Sequence, residues 1–283
     1  MPEEASVEEL VERQRNHLPP AERRVAEVVL RSPEAVAFGT VARVAELAGT
    51  SGASVVRFAT RLGFPGFSSL QAAVQRAIGQ QLRPAVERIR ADTGPDVVAA
   101  SLPVEVGNVE RTLAAVDTAS FEAAVDLLAT RPRVLVMAGE AEAGVGAMLA
   151  GGLSLVREGV EQLGGSDVAV ARRLATCGGD AALVAIDMRR YERWVVEHAA
   201  RAASAGAAVV AVTDSLLSPL AERAAVTFVV SAESAGVFDS HVGTLALCNV
   251  LVTGTARRLR RSATERFDAV EAAWQATGAL VDG

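Results

Sequence analysis

Two arginines four residues apart, Arg57 and Arg61, are side chains whose type and spacing suit ligand binding. They lie in "SGASVVRFATRLG". On a helix over 51–62 they share a sector about 60° wide with Ser54. A guanidinium can form two hydrogen bonds with guanine or grip a phosphate, and Ser51 and Ser54 stand beside the free N–H groups of the helix start. The pattern favours a DNA contact; the alternative is an amphipathic helix whose arginines are only solvated.

A second pair of arginines, Arg189 and Arg190, follows an apolar run in the second half of the chain. Arginine binds phosphate or carboxylate through its planar fork, so this pair favours an anionic ligand. Glu140 and Glu142 oppose a highly charged anion and could instead pair with the arginines when no ligand is bound. The alternative is that Arg189 and Arg190 cap a helix or form surface ion pairs, because most surface charges are only solvated.

Short helices must position the first pair of arginines. Apolar residues recur at helical spacing in "PAERRVAEVVLR", and Pro33 ends this pattern. A second helix runs from its N-cap Thr40 to Gly49, and "GTS" leads from it into the arginine-bearing helix. Two helices joined by such a turn form a helix-turn-helix, whose second helix lies in the major groove. A further helix is predicted over 66–82.

From residue 133 the sequence changes to short apolar runs, "RVLVMAG", "DAALVAID", "AAVVAVTD" and "AVTFVVSA", the first three separated by helical patterns. Such runs are typical of parallel strands buried on both faces, and their alternation with helices predicts an α/β fold. A weaker strand is predicted in "EGVEQLG", and 237–280 is predicted to be helical. Because ligands bind outside the carboxyl ends of parallel strands, the loops "GEAEAG", "DMRRYE" and "TDSLLSPLA" are expected to line one crevice.

Composition argues against several classes of protein and site. No apolar run is long enough to span a membrane, and the acidic start "MPEEASVEEL" lacks the parts of a signal peptide. We therefore expect a cytoplasmic location and no membrane partner. The two cysteines, Cys177 and Cys248, stand far apart, which argues against a disulfide framework or a zinc site. No P-loop, Gly-x-Gly-x-x-Gly motif or metal constellation is present, so no cofactor and no metal is predicted.

The first part of the chain, "AERRVAEVVL" together with "VAELAGTSGASVVRFATRLGFPGF", resembles the N-terminal domain of RpiR-type bacterial transcriptional regulators. The resemblance implies an all-α helix-turn-helix head that binds double-stranded operator DNA through the helix over 51–62. The residues expected to contact DNA are Thr50, Ser51, Ser54, Arg57 and Arg61. One recognition helix reads few base pairs, so we expect a homodimer or homotetramer that reads two half-sites.

The second half resembles the SIS (sugar isomerase) fold, which follows this head in the same family. The resemblance implies a parallel five-stranded sheet flanked by helices, with a phosphosugar or another anion as small-molecule effector at the strand ends. The third loop follows the family's pattern, whereas "GEAEAG" replaces a Gly-x-Gly-x-Ser-like turn and "DMRRY" replaces the hydroxyl cradle Ser-x-Ser-Gly-x-Thr. The residues expected to hold the effector are Asp187, Arg189, Arg190, Tyr191, Thr213, Asp214, Ser215, Ser218 and Glu233.

We expect a transcriptional regulator without catalytic residues. The runner-up is a sugar-phosphate isomerase with an accessory helical domain, because Glu233 and His241 stand near the site of that fold and an isomerase needs a base. A further alternative is an interaction module whose pocket has lost its ligand. Four segments are predicted: a DNA-binding head at 1–80, connecting helices at 81–127, an effector domain at 128–265 and a helical tail at 266–283.

Overall fold

The computed structural model describes four stretches of the chain, residues 7–14, 17–81, 96–216 and 218–280. It divides into two compact units, Met1–Asp92 and Thr93–Gly283, and each is described by itself. Residues 82–95, which belong to the connecting segment predicted at 81–127, lie outside the described residues. The division into four segments made from the sequence stays a prediction.

The described part of the first unit consists of short helices around one apolar core. They are α1 (Val7–Gln14), α2 (Pro20–Arg31), α3 (Pro33–Phe38), α4 (Val41–Leu47), α5 (Gly52–Arg61) and α6 (Phe67–Gln81). Val25, Val44, Phe58 and Leu70, each from a different helix, are fully buried in that core. The sequence predicts Pro33 only as a helix end, but Pro33 also begins α3, because its fixed φ suits a first helical turn.

Side-chain caps and glycines set the ends of α4 and α5. Thr40 and Ser51 each accept a hydrogen bond from a backbone N–H three residues on, which confirms the predicted N-cap Thr40 and makes Ser51 the N-cap of α5. Gly49 and Gly63 have φ values of 55° and 94°, left-handed backbone that glycine adopts without steric cost. Arg24 of α2 donates a hydrogen bond from Nη2 to the Gly49 carbonyl oxygen at 3.2 Å, which fixes the turn between the two helices.

The second unit begins with α7 (Val97–Ala114) and α8 (Thr118–Thr130) and continues into a sheet. Its strands are β1 (Arg133–Ala138), β2 (Val160–Leu163), β3 (Ala181–Ile186), β4 (Ala208–Thr213) and β5 (Val226–Val229). Neighbouring strands are parallel, in the order β2-β1-β3-β4-β5. The predicted five-stranded parallel sheet is confirmed, including its weakest strand, β2.

Helices cover both faces of the sheet. They are α9 (Ala143–Val156), α10 (Asp167–Leu174), α11 (Arg193–Ser204), α12 (Val242–Arg258) and α13 (Arg260–Thr277). Leu149 of α9 and Leu251 of α12 are buried in the core on one face, and Val195 of α11 in the core on the other. The C-terminal part is helical only between Val242 and Thr277, so the prediction is wrong for 237–241 and 278–280. Within the described residues, no helix has the length and apolar character needed to cross a membrane.

The strand order places a switch point between β1 and β3. The chain continues from β1 to one side of the sheet and from β3 to the other, so the loops that leave these two strands diverge and open a crevice. The N–H of Gly139 donates a hydrogen bond to the Ile186 carbonyl oxygen at 2.9 Å, which holds the two loops side by side where they begin.

Candidate functional site

The exposed face of α5 is the first candidate surface. The Arg57 side chain is 61% exposed, and its Nη2 donates a hydrogen bond to the Ser54 hydroxyl at 2.9 Å. Ser54 itself is buried, so the prediction that it lies in the exposed sector is wrong. It stands on the border of the packed face, where its hydroxyl lies 3.1 Å from that of the exposed Ser51. Ser54 therefore orients Arg57, and the contact of these residues with DNA stays a prediction.

A buried carboxylate that the sequence analysis missed holds the arginines of α5. Glu22 in the first turn of α2 is 3% exposed, and its Oε2 accepts a hydrogen bond from Arg61 Nε at 2.6 Å. Its Oε1 lies 4.0 Å from Arg57 Nε. The hydrogen bond and the charge of Glu22 raise the pKa of Arg61 above its ordinary value. Arg61 therefore helps to hold α5 against α2. Arg57 is the more exposed of the two arginines and is more available for an external contact.

Three further side chains of α5 share the exposed face with Arg57, namely Ala53, Val56 and Thr60. They are not among the predicted site residues, although their helical spacing relative to Arg57 was a usable signal. Val56 is apolar and yet 42% exposed. An apolar side chain on a helix in the major groove can contact a thymine methyl group. The predicted residue Thr50 is half-buried in the turn before this helix.

Three carboxylates meet in the crevice between β1 and β3. A side-chain carbon on Gly139 would lie 2.7 Å from Glu142 Oε2. It would also lie 2.9 Å from Asp187 Oδ1 and 3.1 Å from Glu192 Oε1, so a larger residue there would displace these carboxylates. Asp187 is one of the predicted site residues, whereas Glu142 and Glu192 are not. The available signal was that these acids follow two strands whose ends share one edge of the sheet.

The three carboxylates differ in their partners. Asp187 Oδ2 accepts a hydrogen bond from the N–H of Glu192 at 2.7 Å, and the Glu192 carboxylate accepts hydrogen bonds from the Glu140 N–H and the Trp194 indole. Glu142 is 4% exposed and, among the described residues, has no hydrogen-bond partner beyond its own backbone N–H. Burial and the charge of Asp187 raise the pKa of Glu142 to about 7. Burial and the charge of Glu192 raise the pKa of Asp187 to about 6.

Arg189 lies between two aspartates. Its side chain is 11% exposed, and its Nε lies 3.6 Å from Asp214 Oδ2 and 3.6 Å from Asp239 Oδ2. This Nε is buried and forms no hydrogen bond within the described part of the chain. The expectation that the arginines pair with Glu140 or Glu142 is therefore wrong for Arg189, because the aspartates of two other loops lie closer to it.

The loop that carries Arg190 is held in a strained shape. Arg190 is exposed and has a φ of 71°, left-handed backbone that costs a residue other than glycine about 1–2 kcal/mol. Asp214 Oδ1 clamps this loop, because it accepts hydrogen bonds from the Arg189 N–H at 3.3 Å and from the Tyr191 hydroxyl at 2.8 Å. The Thr213 hydroxyl lies 3.4 Å from the same oxygen. The structure thus brings together the predicted residues of the second and third loops.

Other predicted effector residues already have internal partners. Ser215 and Ser218 are buried, and the Ser218 hydroxyl accepts a hydrogen bond from the N–H of Leu220 at 3.2 Å. The N–H of Glu233 donates to Asn108 Oδ1 at 3.1 Å, and its carbonyl oxygen accepts from Asn108 Nδ2 at 2.8 Å. Asn108 of α7 is fully buried, so α7 fixes the segment after β5, a contribution that the sequence analysis missed.

Replacing Glu142 with glutamine is expected to stabilise the ligand-free chain above neutral pH. Because the folded pKa is raised from 4.5 to about 7, protonated Glu142 favours folding; this contribution is complete below pH 4.5 and is lost as the pH rises through 7. The charged groups facing Glu142 are Asp187, Glu192 and Asp239. Urea unfolding at about pH 8 should give the variant about 1–3 kcal/mol more stability than the parent, and at about pH 5 no advantage. Glu140→Gln changes an exposed neighbour and serves as the control. If Glu142→Gln changes the stability equally at both pH values, the raised pKa of Glu142 is not the cause.

Two family models match the chain. The model described as "Helix-turn-helix domain, rpiR family" matches residues 5–81, and the model of the SIS domain matches residues 127–254. A curated relative, the uncharacterized HTH-type transcriptional regulator YbbH of Bacillus subtilis (strain 168), is 31% identical over 81 residues. That match covers 29% of this chain and 28% of the relative, so it compares only a part of each protein.

Solved structures share the fold. The sugar isomerase domain of an RpiR transcription factor from Sphaerobacter thermophilus is 27% identical with a TM-score of 0.57, over 61% of this chain and 97% of that chain. The NanR protein of Vibrio vulnificus, solved in complex with ManNAc-6P, is 21% identical with a TM-score of 0.61, over 96% of this chain and 100% of that chain. At that identity the likeness to NanR concerns the fold alone.

Proposed function

Because this chain belongs to the family of RpiR-type transcriptional regulators, in which a helix-turn-helix domain precedes a SIS domain, we propose that it binds operator DNA and responds to a small metabolite. The exposed face of α5 is the DNA contact. The crevice between β1 and β3 holds the effector, a phosphorylated sugar or a related anion. The complex of the Vibrio vulnificus NanR protein with ManNAc-6P supports this class of effector. The chain would act in the cytoplasm, where the DNA lies.

The observation that carries the DNA-binding proposal is the setting of Arg57 on α5. Arg57 is exposed on the second helix of the helix-turn-helix, and the Ser54 hydroxyl and the buried Glu22 restrict its position from behind. A side chain held in this way loses less conformational entropy when it contacts a base or a phosphate. This preorganised arginine supports a role in DNA contact over the alternative of a merely solvated side chain.

We propose that the effector acts by linkage. The effector binds one arrangement of the SIS domain more tightly than another, and that arrangement sets the affinity of the paired DNA-binding heads for their two half-sites. By reciprocity, operator DNA then changes the affinity for the effector by the same factor. Both activation and repression of a gene are compatible with this scheme.

We propose no catalytic role for the crevice. Of the two candidate bases, Glu233 has its backbone fixed to Asn108, and burial lowers the pKa of His241. One observation favours the runner-up, a sugar-phosphate isomerase: the pKa of Glu142, about 7, suits a general base near neutral pH. A coupled assay of aldose–ketose conversion over a panel of phosphosugars decides between the two. Turnover that disappears in Glu142→Gln would establish the enzyme.

A second copy of the chain is proposed to pack on α7. Val98, Leu102 and Val106 stand four residues apart on this helix and are 80%, 66% and 48% exposed. An exposed apolar stripe of this kind marks an interaction surface. A second copy is the occupant that the DNA-binding proposal requires, because one recognition helix reads only one half-site.

Leu102→Asp is expected to convert the dimer or tetramer into a smaller species, because a carboxylate in an apolar contact loses its hydration without gaining a partner. Sedimentation velocity of the full chain measures this change. Val168→Asp is the matched control, because Val168 is also apolar and 78% exposed but lies on α10. A parent chain that sediments as a monomer, or a Leu102→Asp variant with the parent's mass, would contradict the proposed contact.

Selection of DNA fragments by the full chain tests the DNA-binding proposal. From a random pool we expect the protein to enrich an inverted repeat whose half-site centres lie about one helical turn, or a small multiple of it, apart. Enrichment should be weaker with Arg57→Ala, and selection should relax at the position that this arginine reads. If the protein enriches no sequence above the starting pool, the proposal that α5 reads DNA fails.

A further inference from the structure

The crevice between β1 and β3 carries more negative charge than a site for a simple anion needs. Glu142, Asp187 and Glu192 face the same space beside Gly139. In the described part of the chain, none of the three forms an ion pair with an arginine or a histidine. Arg189 is buried nearby, but two aspartates already offset its charge. The local charge therefore favours a cation at this corner.

The burial of Glu142 is the second sign of a ligand here. Glu142 is almost completely buried, and among the described residues only its own backbone N–H is close enough to bond it. Its Oε2 points at the space in front of Gly139. Burying an ionised carboxylate without a partner is strongly unfavourable, and such groups concentrate at functional sites. A group that supplies N–H donors and positive charge would satisfy Glu142.

The described residues favour an organic ammonium over a metal ion as the cation. Across the described residues, no group of three or more His, Cys, Asp and Glu side chains is arranged to hold a metal ion. A protonated primary amine carries three N–H donors and no acceptor, so it can donate to several carboxylates at once. An organic ammonium therefore suits these three carboxylates better than a metal ion does.

We propose that this corner of the crevice binds a protonated primary amine of the effector, with Glu142 as its main partner and Asp187 and Glu192 beside it. The inference rests on the proposed function, because it assigns a second group to the same effector. The effector is then a zwitterion, such as a phosphorylated amino sugar, whose anionic group lies toward Arg190.

The affinity for an amine should depend on pH. Among the charged groups that face Glu142 are Asp187, Glu192 and Asp239, all of them acidic. The pKa of Glu142 is about 7 and that of Asp187 about 6, so both lose their protons as the pH rises from 6 to 8. An ammonium binds the ionised carboxylates, so the affinity for the protonated amine rises over this range and its binding releases protons. A ligand with a hydroxyl in place of the amine should lack this increase.

Matched phosphosugars test the assignment on the full chain. Glucosamine 6-phosphate, glucose 6-phosphate and N-acetylglucosamine 6-phosphate carry a charged amine, a hydroxyl and a neutral amide at one position. The corresponding galactose and mannose series vary the stereochemistry. Calorimetric titration at about pH 7.5 should give, in at least one series, an affinity for the amine about tenfold or more above that for the other two forms. The unphosphorylated amino sugars show whether the phosphate is also needed.

Variants locate the preference for the amine. In Glu142→Gln the ratio of affinities, amine over hydroxyl, should fall about tenfold. Glu140→Gln, at the exposed neighbour, should keep the parent's ratio. If a hydroxyl or N-acetyl form binds as tightly as its amine counterpart, the inference is overturned while the proposed effector class stands. The inference is also overturned if no amino sugar phosphate binds, or if Glu142→Gln keeps the full preference. If no phosphosugar of any series binds, the proposed effector class fails as well.

Discussion

Replacing Arg57 with alanine is expected to weaken operator binding about tenfold or more while the melting temperature stays within about a degree of the parent's. Arg57 is exposed and donates one hydrogen bond to Ser54. The Ser54 hydroxyl also lies 3.1 Å from that of Ser51, so removing Arg57 leaves no buried group without a partner. Loss of a base-reading arginine costs about 1–3 kcal/mol and relaxes specificity at one position. Loss of a phosphate contact weakens all sequences equally and reduces the salt dependence of binding. Fluorescence anisotropy of the selected duplex and of single-base variants measures both effects.

Arg61→Ala is the contrast to Arg57→Ala. It leaves the buried Glu22 carboxylate without its 2.6 Å hydrogen bond, so we expect a lower melting temperature in addition to weaker DNA binding. Arg61→Lys restores a positive charge near Glu22 and should recover part of the stability. If Arg57→Ala binds the operator as tightly as the parent, the exposed face of α5 is not the DNA contact.

The double variant Arg189→Gln/Arg190→Gln is expected to bind operator DNA normally and to lose its response to the effector. Glutamine keeps hydrogen-bonding capacity but carries no charge. A charge-assisted hydrogen bond contributes about 1.5–3 kcal/mol, so the affinity for the effector should fall about tenfold or more. Titration of the effector, followed by calorimetry and by its effect on operator binding, measures both quantities. An unchanged response in the double variant would show that these arginines serve only the fold of the loop.

The single variants separate two roles. Arg190 is exposed, so Arg190→Gln should leave the melting temperature unchanged and weaken the anionic contact with the effector. Arg189 lies between Asp214 and Asp239, so Arg189→Gln removes the charge that offsets both carboxylates and should lower the melting temperature. If Arg190→Gln binds the effector as the parent does while Arg189→Gln does not, the anionic group contacts Arg189 instead.

The helices and strands can be predicted from the sequence because their signals are local. Thr40 and Ser51 cap helices through hydrogen bonds that span three residues. Gly49 and Gly63 end helices through their own backbone angles. The strands of the sheet are continuous apolar runs because parallel strands are buried on both faces. The resemblance to a family added the number of strands, which local patterns alone did not determine.

The partners of the charged side chains depend on tertiary packing, so the sequence does not reveal them. Glu22 and Arg61 are 39 residues apart, and no local pattern pairs them. The carboxylates of Glu142, Asp187 and Glu192 meet only because β1 and β3 are neighbours in the sheet. Helical periodicity also fails at a border position, where the small side chain of Ser54 turns inward although its angular sector is shared with exposed arginines.

The most direct test of the central claim, a DNA-binding regulator controlled by a sugar phosphate, is one titration. The full chain is titrated onto the duplex obtained by selection and onto a scrambled duplex, each with and without the panel of phosphosugars. We expect the affinity for the selected duplex to exceed that for the scrambled duplex by about a thousandfold or more. At least one phosphosugar should change the affinity for the selected duplex about fivefold or more. Equal affinity for both duplexes, or an affinity that no phosphosugar changes, would contradict it.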